Sequence, residues 1–128
     1  MKSLAFTLFM AVLFIPGGNL YAGNPSGELL LQSCNAATES IPDSEQMALG
    51  LYCLGLVQGV MNTHQFYQVR LENRGTWVCL PELGLTNEQG AEIVKAYLTN
   101  HPEQKSKDSS LLVSLALVDA FPCQGNER

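Results

Sequence analysis

The chain carries few of the features that mark enzymes or metalloproteins. It has no Gly-x-Ser-x-Gly turn, no His-Glu-x-x-His motif and no phosphate-binding loop. Its two histidines, His64 and His101, lie far apart, and its cysteines include no pair at the Cys-x-x-Cys spacing of a zinc site. Glu88 and Glu92 are typical of a solvated helix face rather than of an acid and base pair. We therefore predict no catalytic residues, no metal site and no cofactor.

Basic residues are also scarce. Lys and Arg together number 7 against 12 Asp and Glu, so the formal net charge is −5 at pH 7. A surface of this sign repels the phosphate backbone, which argues against a nucleic-acid partner. The acidity either serves solubility or attracts a basic protein partner, and the composition does not separate these two explanations.

No apolar run is long enough to cross a membrane. The most apolar stretch covers residues 4–15, which is 12 residues, whereas a spanning helix needs about 20. Lys2 precedes this run, Pro16 ends it, and Leu20-Tyr21-Ala22 follows as a small-residue cleavage frame. The pattern predicts a signal peptide over residues 1–22 and a single exported domain over residues 23–128, with no membrane anchor after cleavage.

The four cysteines, Cys34, Cys53, Cys79 and Cys123, all fall in the predicted exported domain. An oxidising compartment favours pairing of thiols, so we predict two disulfides. Four cysteines allow three connectivities. The predicted helices favour Cys34 with Cys53 and Cys79 with Cys123, although they do not exclude the other two arrangements.

Apolar residues recur at helical spacing along most of the domain, and no strand-like alternation of useful length occurs. The pattern predicts four helices, over residues 26–37, 43–67, 85–100 and 109–120, and therefore an all-α, four-helix bundle. The fourth helix is apolar on nearly every side, so we expect it at the centre of the bundle or against a partner chain.

Helix starts and core positions follow from the same spacing. Ser26, Asp43 and Thr86 are the predicted N-caps, and Gln46 and Gln89 complete capping boxes with the last two. The residues expected to face the core are Leu29, Leu30 and Cys34 in the first helix, Met47, Leu51, Leu54, Val57 and Met61 in the second, and Ile93, Val94, Tyr97 and Leu98 in the third. Two glycines of the second helix, Gly55 and Gly59, share one face, which favours a close crossing by another helix.

Five segments together resemble the Rap/Tai family of type VI secretion immunity proteins. They are Cys53–Val60 (CLGLVQGV), Val78–Pro81 (VCLP), Thr86–Gln89 (TNEQ), Ile93–Pro102 (IVKAYLTNHP) and Ala116–Cys123 (ALVDAFPC). Leu56 and Gly90 depart from the family pattern, which has an aromatic residue and an apolar residue at these places. The resemblance implies a small, disulfide-bonded, HdeA-like helical bundle in the periplasm, often a homodimer, that binds and blocks a secreted effector toxin.

The best-known targets of this family are peptidoglycan amidases, which a protruding loop of the immunity protein occludes. The matching stretch here is residues 68–76, between the second helix and Cys79. Its candidate partner-binding residues are Gln68, Arg70, Glu72, Asn73, Arg74 and Thr76. The charge, Asn and Gly content of residues 68–77 predicts a loop, and nearby Tyr67 and Trp77 are types enriched at binding hot spots. We expect Trp77 itself to pack on the core.

Two other functions are compatible with the sequence. One is a periplasmic stress or chaperone protein of the HdeA-like type without a cognate toxin, because protonation of the 12 acidic residues would loosen the fold in acid. Against it, two disulfides would restrain such opening. The other is an enzyme of unrecognised type.

Overall fold

The protein is described by a computed structural model, which covers residues 26–39, 43–72 and 75–123. These contain four α-helices: α1, Gly27–Thr38; α2, Ser44–Arg70; α3, Asn87–Asn100; and α4, Ser109–Ala120. A short 3-10 turn, Pro102–Gln104, connects α3 to α4. Within the described segments the backbone forms no strand beyond isolated bridges, so the predicted all-α fold is confirmed. The predicted signal peptide lies outside the described residues, and none of the described helices could span a bilayer.

The predicted capping boxes are present. The Asp43 carboxylate accepts from the backbone N–H groups of Glu45 and Gln46, and the Gln46 side chain accepts from the Asp43 N–H. Thr86 and Gln89 make the same reciprocal pair at the start of α3. These bonds satisfy N–H groups that a helix start leaves without partners.

The first helix starts at the predicted N-cap residue, Ser26, but the side chain of Ser26 makes no capping hydrogen bond. At α4, Asp108 caps instead and accepts from the N–H groups of Ser110 and Leu111.

The core lies where the four helices meet, and the disulfide between Cys34 and Cys53 runs through it. These two cysteines join α1 to α2 with a Cα–Cα distance of 5.1 Å, and both are fully buried. The other buried apolar residues of the core are Leu30, Val57, Met61, Val78, Leu80, Ala91, Val94, Leu98, Leu112, Val113, Ala116 and Leu117. The predicted connectivity of all four cysteines is confirmed, since Cys79 pairs with Cys123.

Three predicted core positions are wrong. Leu29 is 37% exposed, Met47 54% and Leu51 64%. Leu29 lies beside the fully buried Leu30, and Leu51 lies between the buried Gly50 and Cys53, so both are on the outward side of turns that are covered on their other side. Met47 lies in the first turn of α2. Helical spacing identifies residues that share a face, but tertiary contacts determine how wide the covered part of that face is.

The predicted crossing over Gly55 and Gly59 is also wrong, because a Cβ added at either glycine would meet nothing within 4 Å. The close approaches occur at three other glycines, the first of which is Gly27, beside Leu112 and the backbone of Lys105. A Cβ on Gly50 would lie 3.2 Å from the Cα of Ala37 in α1, and a Cβ on Gly90 would lie within contact distance of Val57 in α2. The lack of a side chain at Gly90 lets α3 approach α2 closely.

The fourth helix has one face in the core and one facing outward. Leu112, Val113, Ala116 and Leu117 are buried, whereas Leu111 is 47% exposed. The fourth helix is therefore not at the centre of the single chain, and its placement against a partner chain stays a prediction. Leu111 leaves an apolar position of α4 exposed.

Candidate partner-binding site

The long helix continues further than predicted. It ends at Arg70 rather than near Tyr67, so Gln68 and Arg70 belong to the helix and not to the loop. The backbone departs from the helical path at Glu72, which has φ of 49°, in the left-handed region that L-residues seldom occupy. Gly75, with φ of 75°, occupies the same region at no steric cost.

The predicted partner-binding residues other than Gln68 fall into three groups. Arg70 and Glu72 are exposed to solvent. Asn73 and Arg74 lie outside the described residues. Thr76 is 7% exposed, and its hydroxyl lies 3.4 Å from Sγ of Cys123. Because a disulfide sulfur carries no proton, this hydroxyl is the donor.

Gln68 points its side-chain amide at the backbone of Leu80. Its Oε1 accepts from the Leu80 N–H at 2.9 Å, and its Nε2 donates to the Leu80 carbonyl at 3.2 Å. One side chain thus satisfies both backbone groups of a residue that is only 8% exposed. These bonds join the C-terminal end of α2 directly to the segment before α3.

The same segment is tied to the end of α4. The disulfide between Cys79 and Cys123 has a Cα–Cα distance of 5.0 Å. The N–H of Cys79 donates to the carbonyl of Phe121 at 2.9 Å, and the N–H of Cys123 donates to the carbonyl of Trp77 at 3.3 Å. An isolated antiparallel bridge between Val78 and Pro122 makes the backbone strand-like at this point. Residues 76–80, here called the Trp77 segment, are therefore attached on both sides.

Alternating burial along this segment turns Trp77 outward. Val78 is fully buried and Leu80 is 8% exposed, whereas Trp77 is 66% exposed. The expectation that Trp77 packs on the core is therefore wrong. Neighbouring side chains in an extended segment point to opposite sides, so burial of Val78 forces Trp77 into solvent. Once Val78 is assigned to the core, this alternation identifies Trp77 as an exposed residue.

Further exposed apolar side chains lie at the nearby end of α2, and the sequence pattern identifies only Tyr67 among them as a candidate. They are Phe66 (64% exposed), Tyr67 (51%), Val69 (74%) and Leu71 (42%). The Phe66 and Tyr67 rings lie 5.7 Å apart in an edge-to-face arrangement. Large exposed apolar residues gathered in one part of a chain mark surfaces that bind other proteins.

A second feature is a groove of about 490 Å³ between α2 and α4. His64 lies in this groove with Nε2 3.2 Å from Oγ of Ser114, and burial lowers the pKa of its imidazole. Tyr67 also lines the groove, and no carboxylate among the described residues does. A catalytic triad would need a third group to orient the histidine, and this groove does not supply one.

The described residues include no group of three or more potential metal ligands. The model of the Rap1a immunity protein family matches residues 26–123, which covers most of the chain and all of the elements described above. No curated protein and no solved structure gives a significant match.

Proposed function

The chain belongs to the Rap1a immunity protein family, and from that membership we propose that it binds and occludes a toxin delivered by type VI secretion. The target we propose is a peptidoglycan amidase, and the compartment is the periplasm, where two disulfides would persist. Protection of the producing cell follows from physical blocking of the toxin. The inhibitor itself needs no catalytic group for this role.

The exposure of Trp77 on an anchored segment is the observation that carries the proposal. An indole that is 66% exposed offers a large apolar surface for a partner to bury. Its backbone is held through Cys123 and Cys79, so binding costs little additional ordering. Rigid aromatic anchors of this kind are the usual hot spots of protein interfaces.

The charges around this surface define its chemistry further. Arg70 and Glu72 are exposed at the end of α2, and we propose that Arg70, Glu72, Asn73 and Arg74 contact the toxin beside Trp77. The net charge of −5 favours encounter with a basic toxin surface.

We also propose that the protein forms a homodimer, as the family resemblance implies. Leu111, Leu115 and Val118 recur at helical spacing on α4; Leu111 is 47% exposed, and the other two are partly buried. This stripe is the surface we assign to the second copy. Sedimentation equilibrium of the wild type and of Leu111→Asp tests it, and a wild type that is monomeric at micromolar concentration would remove the dimer from the proposal.

The direct test is capture of a cell-wall hydrolase from periplasmic extract, followed by calorimetric titration of the purified pair. We expect saturable stoichiometric binding and loss of amidase activity, without turnover by the immunity protein. Trp77→Ala should weaken binding by about 2 kcal/mol or more, as expected for a hot spot, with an unchanged melting temperature.

The matched control is Met47→Ala. Met47 is also an exposed apolar residue, at 54%, but it lies at the opposite end of α2. Equal losses of affinity in the two variants would move the interface away from the Trp77 segment. No affinity of the wild type for any cell-wall hydrolase would overturn the amidase assignment.

A further inference from the structure

The Trp77 segment is connected to two different helices by two different kinds of attachment. The link to the end of α4 is covalent, through Cys79 and Cys123. The link to α2 is made by the Gln68 amide and the backbone of Leu80. Two backbone hydrogen bonds, from the Cys79 N–H to the Phe121 carbonyl and from the Cys123 N–H to the Trp77 carbonyl, complete the link to the end of α4. The Gln68 amide is the attachment that fixes the position of the segment relative to α2.

The hydrogen-bond partners of Gln68 restrict its side-chain amide to one orientation. A primary amide has one accepting and one donating end, and Leu80 presents one backbone N–H and one carbonyl to them. The reversed amide would place its NH₂ group against the Leu80 N–H and its oxygen against the Leu80 carbonyl. Only one orientation of the side chain therefore makes both bonds, at 2.9 and 3.2 Å.

We propose that Gln68 is a positioning residue for the partner-binding surface rather than a contact residue. By satisfying both backbone groups of Leu80, it sets the register of the extended segment against α2 and thereby the direction in which Trp77 projects. This inference rests on the proposed function for its biological meaning. The positioning itself is a property of the free protein and is measured without any partner.

Trp77 is the single tryptophan of the chain, so its fluorescence reports this segment alone. In Gln68→Ala, we expect lower fluorescence anisotropy of Trp77 and hydrogen exchange at the Leu80 N–H that is faster by about tenfold, the size expected for one lost hydrogen bond. Far-UV circular dichroism should be unchanged, because Gln68 lies in the last turn of α2. The matched control is Gln65→Ala, one turn earlier, at an exposed amide without a hydrogen-bond partner among the described residues.

Gln68→Glu separates positioning from a general structural effect. At pH 7 a carboxylate still accepts from the Leu80 N–H, but its second oxygen faces the Leu80 carbonyl and repels it. Protonation near the ordinary glutamate pKa of about 4.3 restores a donor at that place. Trp77 anisotropy of Gln68→Glu, measured relative to the wild type at each pH, should therefore recover between pH 6 and pH 4, whereas that of Gln68→Ala should stay low.

Unchanged anisotropy and exchange in Gln68→Ala would overturn the proposal, as would a Gln68→Glu profile that does not differ from that of Gln68→Ala. For a toxin that the wild type binds, Gln68→Ala should have about tenfold lower affinity, because association is slower or less productive. If Gln68→Ala keeps the Trp77 anisotropy and hydrogen exchange of the wild type but binds the toxin more weakly, Gln68 contacts the toxin directly and the positioning role is rejected. Failure of every cell-wall hydrolase to bind would reject the proposed function and leave the partner-free test of Gln68 intact.

Discussion

Glycine residues that look alike in the sequence have opposite roles in this fold. Gly55 and Gly59 lie on an open face of α2, whereas Gly90 lies where α3 meets Val57 and Met61. An exposed glycine in a helix costs up to about 1 kcal/mol relative to alanine, because its backbone is freer in the unfolded chain. Where two helices are in close contact, as at Gly90, glycine is required because there is no space for a larger side chain.

We predict opposite effects of alanine at these positions. Gly59→Ala should raise the free energy of unfolding by about 0.5 to 1 kcal/mol, because nothing lies within 4 Å of the added methyl group. Gly90→Ala should lower it by about 1 to 3 kcal/mol, because the methyl group overlaps Val57, which is fully buried. Urea unfolding of both variants measures the pair, and stabilisation by Gly90→Ala would show that the approach of α3 to α2 is not close-packed.

Helical spacing predicts some buried residues correctly and others not. Spacing identifies Val57 and Met61 as core residues because both lie mid-helix, where all neighbours contribute cover. It misassigns Met47, in the first turn of α2, and Leu51, which lies between the buried Gly50 and Cys53 but on the outward side of the helix. Trp77 is misassigned for a related reason: its hydrophobicity favours burial, and the tertiary anchoring that turns it outward is not visible in the local sequence.

At the scale of elements, helix starts are the best-predicted feature of the chain. A capping box is a local interaction over four residues, so its side-chain types appear directly in the sequence. Helix ends are less well predicted, and α2 runs three residues further than expected, to Arg70. The extension matters for function, because it makes Gln68 a helical residue facing Leu80.

The caps provide a second prediction. Thr86→Ala should lower the free energy of unfolding by about 1 kcal/mol, because it removes the hydrogen bond from the Gln89 N–H to the Thr86 hydroxyl. Ser26→Ala is the matched control at another N-cap, where the side chain makes no capping bond, and it should change stability by less than about 0.5 kcal/mol. Equal losses in the two variants, measured by urea unfolding, would show that the Thr86 bond contributes nothing specific.

The disulfides act between elements. The bond from Cys34 to Cys53 closes 19 residues and that from Cys79 to Cys123 closes 44. The chain-entropy model assigns them about 3 and about 4 kcal/mol respectively. Their pairing was favoured by the predicted helix order, which brings α1 beside α2 and the end of α4 beside the segment before α3. The hydrogen bonds from Cys79 and Cys123 to neighbouring backbone groups involve residues distant in sequence, and no local pattern predicts them.

At the scale of the whole molecule, acidity affects the fold through individual groups rather than through the total charge alone. Asp108 accepts from the hydroxyl of Ser110 and from the N–H groups of Leu111 and Ser110, and these bonds lower the pKa of its carboxyl. A carboxyl whose pKa is lowered by folding stabilises the fold when the pH is above the ordinary carboxyl pKa. This stabilisation is lost only as the pH falls through the lowered pKa. The α4 cap should therefore persist on mild acidification.

His64 gives the last prediction. Burial between α2 and α4 lowers the pKa of its imidazole below 6.5, and the described residues lining the groove include no carboxylate to stabilise the charged form. Below pH 6.5 the unfolded chain binds a proton at this position more readily than the folded protein does. The free energy of unfolding should therefore decrease as the pH falls from 7.5 through 6.5 and towards the lowered value. In His64→Gln, which keeps a hydrogen-bonding group beside Ser114 but cannot titrate in this range, the decrease should be smaller. Urea unfolding of both proteins at closely spaced pH values measures the difference, and parallel profiles between pH 7.5 and 5 would show that protonation of His64 is not coupled to folding.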